Sequence, residues 1–101
     1  MGSPTVDYAA STALVTGSTS GIGKAIAFEL VARGIGRLVV HGRNDEKLKK
    51  TIAELEQHQT AIKTRVQTEL RTVSSDLAKE DGAAKVQEQL EEWNWQVDIL
   101  V

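Results

Sequence analysis

Thr16-Gly17-Ser18-Thr19-Ser20-Gly21-Ile22-Gly23 separates two unlike stretches of this 101-residue chain. Ahead of it runs a short apolar segment, Ala13-Leu14-Val15, with the look of a buried strand. Behind it, residues 24–33 carry the composition of a helix. Glycines at 17, 21 and 23 let the backbone turn tightly and come close to a ligand. A helix that begins there leaves its first-turn amides unpaired and facing outward, where an anion can take them. A strand, a glycine-rich turn and a helix in that order make a cradle for a pyrophosphate.

The pattern repeats outward from this point. Residues 12–16 read as a strand whose apolar residues are consecutive rather than alternating, as expected when both faces of a parallel sheet are covered. Residues 22–32 read as a helix with Ile22, Ala25, Ile26, Leu30 and Val31 on or near one stripe, stopped by Gly34. Residues 37–41 hold the second strand, Leu38-Val39-Val40. Asn44 or Asp45 caps a second helix in which Leu48, Ile52 and Leu55 share a face. Its end falls near His58 or runs on through Ile62 to Val66. Residues 69–74 form a third strand, residues 83–93 a third helix with Val86, Leu90 and Trp93 on one stripe, and residues 97–101 a fourth strand. Residues 1–11, with the only proline at Pro4, read as a flexible lead-in to one domain over residues 12–101.

Alternation of strand and helix predicts an α/β fold, a parallel sheet with right-handed crossovers and helices on both faces. Ligands of such sheets sit beyond the carboxyl ends of the strands. The glycine turn, Arg43 and Asp76 follow the first, second and third strands, so all three are expected on one edge.

Composition narrows the partners. Hydrophobic residues make up 41% of the chain, enough for a core. The net charge of −2 gives no broad basic field, which argues against nucleic acid as a partner. No run approaches the roughly 20 apolar residues needed to span a bilayer, so no membrane partner is expected. No cysteine is present, which excludes disulfides and thiolate metal sites and fits a reducing compartment. The first residues lack a signal peptide's charged and apolar regions. Met1-Gly2 begins a myristoylation motif that fails at Val6. The expected location is cytoplasmic. His41 and His58 lack metal-ligand spacing.

With these residues in view, the chain resembles the short-chain dehydrogenase/reductase family, of the classical type, over residues 11–101. The resemblance centres on Thr16-Gly17-x-x-x-Gly21-Ile22-Gly23, a spacing distinct from the general Gly-x-Gly-x-x-Gly fingerprint. Ser75-Asp76-Leu77 after the third strand is a second match, and Val97-Asp98-Ile99-Leu100-Val101 a third. The resemblance implies a Rossmann-like, doubly wound parallel sheet with strand order 3-2-1-4, truncated relative to the full family fold. It implies that Gly17, Gly21 and Gly23 shape the turn beneath a dinucleotide. The backbone of Ser18, Thr19, Ser20, Gly21 and Ile22 then lines its phosphates. Asp76 meets the adenine amino group, with the Leu77 amide beside it. The residues' own chemistry agrees, since a carboxylate accepts from an amine and an amide donates to a ring nitrogen. Asp76 also reads as a cap for the next helix.

Arg43 bears on which dinucleotide. An NAD-selective site places Asp or Glu near the end of the second strand to take the ribose hydroxyls. Here that place holds Gly42-Arg43-Asn44. A guanidinium forks onto a phosphate with two hydrogen bonds and opposite charge. The site therefore reads as NADP(H)-preferring, with NAD(H) the weaker alternative. Asn44, Thr19 and Ser20 can add neutral donors. NADP-type relatives often carry Arg or Lys just before the middle glycine, where this chain has Ser20, so the preference rests mainly on Arg43. The plain alternative for Arg43 is a solvated surface arginine.

The family's chemistry uses a tyrosine as acid/base, a lysine four residues later and a serine that holds the substrate oxygen. The only tyrosine here is Tyr8, and the fourth residue after it is Thr12. The chain as given is therefore expected to hold the cofactor of an oxidoreductase without turning over substrate by itself. The substrate is unknown, and the fourth strand's exposed edge is a candidate for self-association. The alternative reading is a non-catalytic dinucleotide-binding or interaction module derived from the same family, and a fragment without a stable fold is a third.

Overall fold

A computed structural model describes residues 7–101. Pro4 and the rest of residues 1–6 lie outside the described residues. Four strands, β1 (Thr12–Val15), β2 (Arg37–Gly42), β3 (Glu69–Ser74) and β4 (Ile99–Leu100), alternate with three helices, α1 (Gly21–Ala32), α2 (Asp45–Ile62) and α3 (Gly82–Trp93). The sheet order is β3-β2-β1-β4, and every pairing is parallel. This is the doubly wound order expected from the sequence.

Side chains on a strand point alternately to its two faces. Ala13 and Val15 of β1 join Leu38 and Val40 of β2, and α1 and α2 cover them with Ala27, Leu30, Val31, Leu48 and Leu55. Leu14 and Val39 face the other way, against Val86 of α3, Val73 and Trp95. Both faces of β1 and β2 are thus buried, which is why their apolar residues run consecutively. The middle of the sheet is the best-packed part of the molecule, and the loops after β1, β2 and β3 rise from it.

Trp93 and Trp95 close the foot of α3 against the sheet. The Arg71 guanidinium lies 4.3 Å from the Trp95 ring centre and 4.9 Å from that of Trp93, and Arg37 covers Trp95 at 4.8 Å. Such contacts add about 0.5–2 kcal/mol each.

Several local expectations are corrected. Within the stretch read as a lead-in, Tyr8–Ala10 forms a 3-10 turn, the Tyr8 carbonyl accepts from Gly36 N at 2.7 Å, and Tyr8 packs on the α1/α2 core. Ile22 is 81% exposed and Ala25 is exposed, because the α1 face that meets the sheet is carried by Ala27, Leu30 and Val31. α2 continues past His58 and stops at Ile62, where Lys63 adopts a left-handed conformation (φ 51°). α3 begins at Gly82, one residue before the expected start. β4 is shorter than residues 97–101, but backbone bonds extend the pairing: Asp98 N donates to Thr12 O at 2.8 Å, and Thr16 N donates to Val101 O at 3.0 Å. The Asp98 carboxylate accepts from Thr12 N at 2.9 Å, replacing a backbone rung with a side-chain one.

Candidate functional site

The three loops at the carboxyl ends of β1, β2 and β3 enclose an open cleft of about 700 Å³. Gly17, Thr19 and Ser20 line it from the first loop, Arg43 and Asn44 from the second, and Asp76 and Leu77 from the third. Seven of the eleven residues expected to contact a cofactor are therefore brought to one hollow by strand order alone. Gly21, Ile22 and Gly23 form the first turn of α1 beside it.

The mouth of α1 is open. Ser20 occupies the N-cap position, yet its side chain makes no capping hydrogen bond. Among the described residues, the amides of Gly21, Ile22 and Gly23 find no acceptor within the protein. Unpaired first-turn donors carry the positive end of the helix dipole and favour an anion. Gly17 and Gly21 have φ of 58° and 59°, the left-handed region that favours glycine. Gly23 is required by space: a methyl there would fall inside contact of the Gly17 carbonyl oxygen, 3.0 Å from its carbon and 3.2 Å from Ser18 Cα.

Ser18 corrects an expectation. Its amide does not face the cleft but donates to the His41 carbonyl at 2.9 Å, and its fully buried hydroxyl accepts from His41 N at 3.0 Å. Ser18 anchors the turn to β2, and the amide donors left for a ligand begin after it.

Arg43 is exposed on the cleft wall. Among the described residues neither it nor Lys47, another lining residue, takes part in an ion pair. Lys24, close by on α1, is held by Glu54 of α2 at 3.0 Å. Asn44 Oδ1 accepts from the amides of Glu46 (2.9 Å) and Lys47 (3.1 Å), capping α2 and leaving its amide group to donate elsewhere. Such a cap stabilises a helix by about 1 kcal/mol. Asp45 and Glu46 sit in the first turn of α2, where the helix dipole favours them.

Asp76 is half-buried, and its Oδ1 accepts from Ala78 N at 2.9 Å. It shapes its own loop; the N-cap position of α3 belongs to Asp81, so the reading of Asp76 as that cap is corrected. Gly82 returns so close to Asp76 that a methyl there would overlap the Asp76 carbonyl.

Sequence reasoning missed His41 as a part of the site. Its ring is buried at the end of β2. Gly17 N donates to His41 Nδ1 at 3.1 Å, so Nε2 carries the proton of the neutral ring. Nε2–H reaches the Ser75 carbonyl oxygen at 3.1 Å and Ser75 Oγ at 3.0 Å. Burial pushes the His41 pKa down, opposed in part by the hydrogen bond to the Ser75 backbone. The available signal was a polar residue closing an otherwise apolar buried strand, Leu38-Val39-Val40-His41. Lys47, in the first turn of α2, also lines the cleft, with no sequence signal to single it out from Lys49 and Lys50.

These residues fit a phosphate-bearing dinucleotide: an open helix mouth, a close-approach glycine at its base, an uncommitted guanidinium on the wall and a carboxylate opposite. A family model described as short chain dehydrogenase matches residues 11–101. The chain is 44% identical over 91 residues to the uncharacterized oxidoreductase YvaG of Bacillus subtilis (strain 168), covering 89% of this chain and 30% of that protein. The L-sorbose reductase of Gluconobacter frateurii, solved in complex with NADPH and L-sorbose, has a similar structure (TM-score 0.73, 28% identity, 89% of this chain and 31% of that one). So does a 3-oxoacyl (acyl-carrier-protein) reductase of Agrobacterium tumefaciens C58 with NADP bound (TM-score 0.67, 31% identity, 90% of this chain and 31% of that one). The chain spans just under a third of the length of these relatives. By motif, strand order and a match over nearly all of its residues, the chain belongs to the short chain dehydrogenase family.

Proposed function

We propose that this chain is the NADP(H)-binding portion of an oxidoreductase that moves hydride between nicotinamide and a carbonyl or alcohol. The nicotinamide ring supplies the hydride chemistry when bound. The chain's own work is to hold and orient the cofactor. The free amides at the start of α1 receive its phosphates, Arg43 the 2′-phosphate, and Asp76 and the Leu77 amide the adenine. Thr19, Ser20 and the Asn44 amide add neutral donors. The observation that carries the preference is Arg43: a guanidinium without a carboxylate partner stands where an NAD-selective site needs an acid. Solved relatives that hold NADPH or NADP add support.

Titration of the chain with NADPH and NADH tests this. A charged hydrogen bond contributes about 1.5–3 kcal/mol, which corresponds to NADPH binding roughly 10- to 100-fold more tightly. Arg43→Asp abolishes or inverts the preference. Equal affinities in the unaltered chain overturn the role given to Arg43.

We also propose that the outer edge of β4 takes a strand from a second copy of this chain. Leu100, 69% exposed, and Val101, 42% exposed, lie along that edge. A bare apolar edge favours pairing.

A further inference from the structure

We infer that His41 is a positioning residue that locks the phosphate-side and adenine-side loops of the cleft to each other across the end of β2. The inference rests on the cofactor reading above. β2 lies between β1 and β3, so its last residues stand between the two loops that a dinucleotide must bridge. His41 holds the first loop through three groups: its amide donates to Ser18 Oγ, its carbonyl accepts from Ser18 N, and Nδ1 accepts from Gly17 N. It holds the third loop through Nε2–H on Ser75. The next residue repeats the link in the backbone, where Ser75 N donates to Gly42 O at 3.0 Å.

The ring does what neither a shorter nor an apolar residue can. One nitrogen must accept and the other donate, at opposite ends of a rigid plane, and neutral imidazole meets both demands at once. Burial holds His41 in that neutral form, since desolvation opposes the charged ring. Both nitrogens are engaged by protein groups, so the ring acts on the loops and not on a ligand.

Two conservative substitutions separate the links. In His41→Asn the amide oxygen stands near the place of Nδ1 and keeps an acceptor for Gly17 N–H, but no atom reaches Ser75. In His41→Gln the amide nitrogen stands near the place of Nε2 and keeps the donor to Ser75, while the acceptor for Gly17 is lost. Amide exchange by NMR on the cofactor-free chain reads each loop separately. The Gly17 amide is expected to exchange about tenfold faster in His41→Gln and near the unaltered rate in His41→Asn, the scale of one hydrogen bond. The Ala78 amide, which reports the Asp76 loop, shows the opposite order. NADPH affinity falls about tenfold in both, the loss of one positioning hydrogen bond. Thermal unfolding of each variant confirms that the sheet is intact. Parallel changes at Gly17 and Ala78 in both variants overturn the inference, because a generic packing role produces no such split. A split with unchanged NADPH affinity also overturns it. If the unaltered chain fails to bind NADPH, the cofactor reading falls, and the split alone decides whether the link exists.

Discussion

Replacing Gly23 by alanine sets two opposed effects against each other at one atom. Alanine is favoured over glycine inside a helix by about 1 kcal/mol, so an unobstructed substitution in the first turn of α1 stabilises the protein. The added methyl, however, falls on the Gly17 peptide, with the Gly17 carbonyl carbon 3.0 Å away and Ser18 Cα 3.2 Å away. Those are backbone atoms, so no side chain can swing aside. Reaching ordinary carbon–carbon separation needs a retreat of roughly 0.5–1 Å. The peptide that must retreat is already committed. Ser18 N, which shares a peptide unit with the Gly17 carbonyl, is bound to His41 O at 2.9 Å, and the preceding peptide is held through Gly17 N on His41 Nδ1 at 3.1 Å. Overpacking of this kind costs about 1–3 kcal/mol, occasionally more, and a pinned backbone belongs near the top of that range. After the helix-propensity gain, the net loss is about 2 kcal/mol. For a domain of about 100 residues, that lowers Tm by roughly 8–16 °C.

Gly21→Ala is the matched control. Its φ of 59° imposes about 1–2 kcal/mol of left-handed strain, but nothing lies within 4 Å of the new methyl. Both variants lower Tm; only Gly23→Ala displaces the Gly17 peptide. In an amide NMR spectrum the Gly17 and Ser18 resonances move in Gly23→Ala and stay in Gly21→Ala, and NADPH affinity falls at least tenfold in the former, on the order of 1.4 kcal/mol. A Gly23→Ala chain that melts at or above the unaltered temperature refutes the close-approach argument, since propensity would then have won.

Two further predictions follow from the same structure. Stability depends on pH through His41: its pKa is lowered in the fold, so the unfolded chain binds more protons once pH drops below the ordinary histidine value, and stability present above about 6.5 is lost as pH falls through the folded pKa. The groups bonded to the ring are the Gly17 amide from the first loop and Ser75 from the third, neither of them charged, and Oδ1 of Asp76, next in sequence to Ser75, is bound to Ala78 N. Melting curves between pH 7.5 and 5.5 should fall for the unaltered chain and flatten in His41→Gln; equal slopes refute the assignment. For β4, sedimentation over a concentration series should show a dimer that Leu100→Lys converts to monomer, and a chain that is monomeric throughout refutes pairing at that edge.

The readable and unreadable parts of this molecule divide on a physical line. The parallel sheet and the meeting of the glycine turn, Arg43 and Asp76 on one edge could be read in advance from consecutive apolar residues in β1 and β2 and from crossover chirality, both of which are local or generic, while the strand order came only with the family resemblance. Ile22 was misread for a local reason as well: helical periodicity extrapolates a stripe to the end of a helix, but the buried residues of α1 are Ala27, Leu30 and Val31, all beyond its first turn. Tyr8 was read as lead-in because the group that orders it, Gly36 N, is distant in sequence. The sequence marks His41 only as a polar residue closing an apolar strand and does not reveal what it binds. Its role depends on two partners, Gly17 and Ser75, that are 24 and 34 residues away and become neighbours only after the sheet forms.

That division bears on how the cleft is built. The groups aimed outward, the first-turn amides of α1 and the Arg43 guanidinium, are ones a sequence motif can announce, because each is a property of one residue or one turn. The groups that fix their spacing are inward and non-local: Ser18 and His41 beneath the first loop, Ser75 beneath the third, and the tight return of Gly82 onto the Asp76 loop. With a net charge of −2, the chain as a whole does not draw an anion in. At physiological salt its field is screened beyond about 8 Å. Recognition of a phosphate must therefore come from donors already in place at contact distance. Their placement is fixed by buried polar bonds between loops, and a change that leaves every outward donor intact but loosens His41 should still weaken binding.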